Sequence, residues 1–70
     1  MVNITRNRDP QTGHIIGTYH GRIFHVTEEF LEDVEAEKKI SPERAIIIIL
    51  NAKTDAIEPV QIKTEDFRYL

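Results

Sequence analysis

Four consecutive isoleucines, Ile46 to Ile49, set within an apolar run from Ala45 to Leu50, constrain this chain more than any other feature. β-Branched side chains lose rotamer freedom in a helix and pack well on a pleated sheet, and the run is about as long as an ordinary strand. It predicts a central strand from about Arg44 to Asn51. In a strand Ile46 and Ile48 project to one side and Ile47 and Ile49 to the other, so both faces demand cover. A chain of 70 residues has little material for two covering layers, because a domain of this size buries only about 60% of its unfolded surface. Each exposed Ile forgoes about 1.5–3 kcal/mol, a large share of a net stability of about 5–15 kcal/mol. Two solutions are expected: the sheet closes partly into a barrel, or a second copy of the chain covers Ile47 and Ile49 and makes a homodimer.

The residues just before the run argue the other way. Ser41-Pro42-Glu43-Arg44 places a capping residue ahead of a proline suited to the first position of a helix. With the isoleucines read as a strand, this segment becomes a turn or a single helical turn.

Residues before Thr27 read as a three-stranded meander. Val2 and Ile4 alternate with polar neighbours until Asp9-Pro10-Gln11-Thr12-Gly13, where Pro fixes φ, Asp caps the turn and Gly accepts positive φ. His20-Gly21 resembles a weaker Asn-Gly turn. It pairs Tyr19 with Arg22, Gly17 with Phe24 and Ile15 with Val26, gathering Ile15, Tyr19, Phe24 and Val26 on one face. His14, Ile16, Thr18, Ile23 and His25 take the other. A four-residue loop over residues 10 to 13 puts Val2 and Ile4 on the Phe24 side. Gly17, opposite Phe24, permits close packing or curvature.

A principal helix over about residues 27–39 follows, capped by Thr27 and favoured at its positive end by Glu28 and Glu29. Phe30, Leu31 and Val34 form its apolar stripe. Beyond the isoleucines, Val60 to Lys63 alternates as a last strand, which Pro59 pushes to an edge. Thr64 then caps a final turn that returns Phe67 and Leu70 to the core. The expected fold is a single compact α+β domain over residues 1–70, with a small antiparallel sheet or partly closed barrel in the order β-β-β-α-β-β.

Zero cysteines exclude disulfides, thiolate metal sites and cysteine nucleophiles. An apolar run of six residues falls far short of the roughly 20 that cross a bilayer, so no membrane association is expected and the cytoplasm is the default location. His14 and His25 share a sheet face without a recognised ligand spacing or a close carboxylate on that surface, so neither a metal nor another cofactor is expected. Glu28 with Glu32, Glu29 with Asp33 and Asp33 with Glu37 stand four apart on a helix, where a solvated acidic face explains them better than acid–base chemistry. The chain therefore reads as non-enzymatic.

Charge is divided along the chain. Residues 1–26 hold Arg6, Arg8 and Arg22 against Asp9, a net +2, while the rest carries six basic and eleven acidic side chains, a net −5. A basic hairpin beside an acidic helix suits a small protein–protein interaction or regulatory module, with Arg6, Arg8, Arg22 and His25 as contacts for an anionic partner. The alternatives are a nucleic-acid-binding domain that uses the basic N-terminal hairpin, and a small-ligand binding protein or small enzyme.

Overall fold

The computed structural model describes residues 2–70, apart from the side chains of Thr5 and Arg6. In chain order its elements are β1 (Asn3–Arg8), β2 (Ile15–Tyr19), β3 (Arg22–Val26), α1 (Glu28–Asp33) continued by a π turn over Val34–Lys38, α2 (Pro42–Ala52), β4 (Val60–Ile62) and a 3₁₀ segment (Thr64–Tyr69). The strands form one four-stranded sheet in the order β1-β2-β3-β4.

Local signals place the first half. His20 and Gly21 both adopt positive φ, at 48° and 77°, as a tight hairpin turn with the right twist requires. Tyr19 pairs with Arg22, Gly17 with Phe24 and Ile15 with Val26, as expected. Asp9 organises the preceding loop: its Oδ1 accepts from the Gln11 amide at 2.7 Å and its carbonyl from the Gly13 amide at 2.7 Å. Ile4 lies opposite Gly17 and Arg8 opposite Ile15, with an irregularity between them. The shift amounts to two residues, which preserves side-chain parity and leaves Val2 buried and Ile4 packed against the core. Gly17 sits under Phe24 so closely that a Cβ would overlap the ring and approach the Asn3 carbonyl oxygen to 2.9 Å.

The isoleucine run corrects the sequence reading. It is not a strand from Arg44 to Asn51 but the middle of α2, so the order is β-β-β-α-α-β. Ser41 Oγ accepts from the Arg44 amide at 3.1 Å and Pro42 occupies the first turn. Ala45, Ile46, Ile49 and Leu50 are fully buried, an i, i+1, i+4, i+5 stripe that needs cover on one side alone. Helix propensity costs each Ile at most about 0.7 kcal/mol relative to Ala. Full burial of Ile46, Ile49 and Leu50 gains about 1.5–3 kcal/mol each and outweighs that cost.

Two further corrections follow. The sheet is mixed, since β4 runs parallel to β3, pairing Phe24 with Val60 and Val26 with Ile62. A parallel neighbour requires a crossover, and the two helices supply it. Nor does the sheet close into a barrel: β1 and β4 remain at opposite ends. Phe24, Val26, Val60 and Ile62 on one face meet Phe30, Val34, Ile46, Ile49 and Leu50 of the helical layer. The 3₁₀ segment adds Phe67, whose ring lies 5.5 Å from that of Phe30. On the opposite face Ile16 and Thr18 are half-buried and Ile23 is 44% exposed.

Candidate functional site

The basic residues singled out in the sequence do not converge. Arg8 pairs with Glu28 of α1 and donates from Nη1 to the Gly13 carbonyl at 3.1 Å. Arg22 closes the carboxyl end of α2, donating to the Leu50 carbonyl at 2.7 Å and the Lys53 carbonyl at 2.8 Å. These arginines lie opposite Ile15 and Tyr19 respectively. Four residues of strand separate those positions, about 14 Å. The Arg6 side chain lies outside the described residues.

His25 is buried on the other sheet face, where its Nδ1 stands 3.8 Å from Asp9 Oδ2 and its ring meets His14 edge-on at 6.4 Å. The two histidines therefore approach as expected, but a carboxylate does share their surface, because the loop carrying Asp9 folds back toward it. Among the described residues no group of three or more His, Cys, Asp or Glu side chains is placed to hold a metal ion. Arg68 is pushed further toward its charged form by its hydrogen bond to the Tyr69 hydroxyl and by nearby charge. An arginine is already charged at any ordinary pH, so the shift supplies no acid–base group.

Ile47 and Ile49, expected at a subunit interface, are both part of α2. Ile49 is fully buried within the chain, and Ile47 is partly buried against the core. The need for a twin chain came from a strand with two apolar faces, and the helix removes it.

A different place gathers apolar surface and charge. A groove of about 340 Å³ opens between the sheet and α1, with Ile4, Ile15, Leu31 and Pro42 as its apolar lining. Glu28, Glu32 and Glu35 form its rim. Thr27 starts α1 by accepting the Phe30 amide at 3.0 Å, which sets Phe30 and Val34 into the core and leaves Leu31 between the glutamates on the adjoining face. Glu35 falls in the π turn, and Pro42, at the start of α2, contributes to the lining from the other side. All three glutamates are exposed. Three carboxylates stand beside an apolar lining, one of them paired with Arg8, and uncompensated carboxylates in such a setting attract positive charge.

The acidic i, i+4, i+7 series around Leu31 is visible in the sequence as a solvated helix face. The groove is not visible there, because Pro42 becomes part of it only when residues 42–52 are a helix. Among the described residues no helix is long and apolar enough to cross a membrane. No protein-family model, curated protein or solved structure matches this chain.

Proposed function

We propose that this chain is a non-enzymatic protein-binding module of the cytoplasm, whose groove receives a cationic, amphipathic segment of a partner protein. The observation that carries this reading is the composition of the groove: an apolar lining of Ile4, Leu31 and Pro42 beside Glu28, Glu32 and Glu35. Apolar surface supplies affinity, and the carboxylates select a basic partner over an acidic one. Arg8 on Glu28 is an internal example of a guanidinium accepted by this rim.

The same charges disfavour the nucleic-acid alternative, since a phosphate backbone would be repelled from the rim and the arginines are dispersed. Self-association lost its basis with the isoleucine strand, so the partner is sought in another chain.

Titration of the folded protein with a short Leu/Arg peptide and a matched Leu/Glu peptide tests the reading. The basic peptide is expected to bind, and Glu32→Lys with Glu35→Lys to weaken it by about tenfold, since exposed ion pairs are each worth about 0.2–1 kcal/mol and reversal adds repulsion. Equal binding of both peptides, or indifference to the charge reversal in a folded variant, would overturn the reading.

A further inference from the structure

Resting on the groove reading above, we infer that the partner segment docks as a fifth strand along the outer edge of β1 at Asn3 and Ile4, with alternate side chains turned into the acidic groove. The sheet has two ends, β1 and β4, and they differ in what they offer.

β4 is three residues long and follows Pro59, which has no amide hydrogen to donate. Lys53 Nζ also donates to the Gln61 carbonyl at 3.0 Å, placing an ammonium group on that short strand. Edges treated in this way resist added strands. By contrast, β1 spans six residues and has a strand neighbour on one side alone.

The groove begins at this same strand. Ile4 of β1 lines it together with Glu28, Leu31 and Glu32 of α1. A strand added beside β1 would lie about 4.8 Å outside it. Every second side chain of that strand would face the helical layer, where Leu31 and the glutamates stand. Backbone pairing would supply affinity independent of sequence, and the groove would select alternating apolar and cationic side chains. The irregular pairing between Ile4 and Arg8 directs docking toward the regular end at Asn3 and Ile4, where Ile4 lines the groove.

The test uses the full chain and the Leu/Arg peptide. In an added strand alternate peptide amides donate to β1 and the others point outward. N-methylation of one alternate set should therefore weaken binding by about tenfold or more while the other set is tolerated. Amide exchange along β1 should slow in the complex. If both methylated sets bind equally and β1 exchange is unchanged, while Glu32→Lys with Glu35→Lys still weakens binding, the groove reading stands and strand addition is overturned. If no basic peptide binds, both are overturned.

Discussion

Lys53 Nζ stands 2.8 Å from Asp66 Oδ1, and the Asp66 side chain is only 4% exposed. The other oxygen, Oδ2, accepts from the Lys63 amide at 2.9 Å, so one carboxylate ties the 3₁₀ segment to the end of α2. Removing one member of a buried pair leaves the other uncompensated, at a cost of about 3–5 kcal/mol. Because Lys53 retains some access to water, Asp66→Ala is expected near the lower end, about 3 kcal/mol. Lys53→Met with Asp66→Leu should recover part of that loss. Urea denaturation of the parent and the two variants measures it, and equal stability of Asp66→Ala and the parent would refute the role.

Gly17→Ala forces a methyl group against the Phe24 ring and the Asn3 carbonyl. Overpacking of this kind costs about 1–3 kcal/mol. Adding Phe24→Leu should restore part of the loss by making room, and a double mutant cycle would reveal the coupling. Additive effects would show that the ring is not the obstacle.

Burial separates isoleucines that look alike in the sequence. Ile49→Ala should cost about 2–5 kcal/mol, whereas Ile57→Ser, at a position 90% exposed, should stay within about 0.5 kcal/mol. Light scattering of Ile49→Ala distinguishes a core role from an interface role. A folded variant of parental stability but lower mass would mark Ile49 as subunit contact.

Arg22→Met deletes two charge-assisted hydrogen bonds at the carboxyl end of α2. A loss of about 2 kcal/mol is expected, reduced from the sum because the side chain is only partly buried. Arg22→Lys should rescue incompletely, since one ammonium cannot match the planar fork that reaches both carbonyls. Thermal unfolding of the two variants would rank them, and full rescue by Lys would argue that charge alone matters.

Arg8→Gln frees Glu28 for an external cation. Affinity for the Leu/Arg peptide should rise by about two- to fivefold, the range set by an exposed ion pair. Unchanged affinity in a folded variant would show that the internal pair does not compete with the partner.

Much of the first half could be read from local rules. The Tyr19–Arg22 and Gly17–Phe24 register followed from a two-residue turn, and the start of α1 from Thr27 and its acidic first turn. Ile46 to Ile49 was ambiguous for a physical reason: an unbroken apolar run contains both the strand period and the helix period. The signals at Ser41 and Pro42 lay outside the run and decided the outcome.

The site was less legible because its parts meet across the chain. Glu28, Leu31 and Glu32 share a helix, but Ile4 and Pro42 come from other elements. Arg8 and Arg22 could be counted as positive charge in the sequence. Their partners, 20 residues away at Glu28 and 28 residues away at Leu50, could not be assigned before the helices were placed.

The parallel pairing of β4 with β3 has a consequence for assembly. The hairpins linking β1, β2 and β3 can form through short turns, but β4 reaches its place only after residues 27–59 have doubled back, an entropically costly ring closure that favours slow association of distant segments. A backbone cut between Ala52 and Val60 would turn that intramolecular encounter into a bimolecular one. Reconstitution of the two fragments would then depend on their concentration.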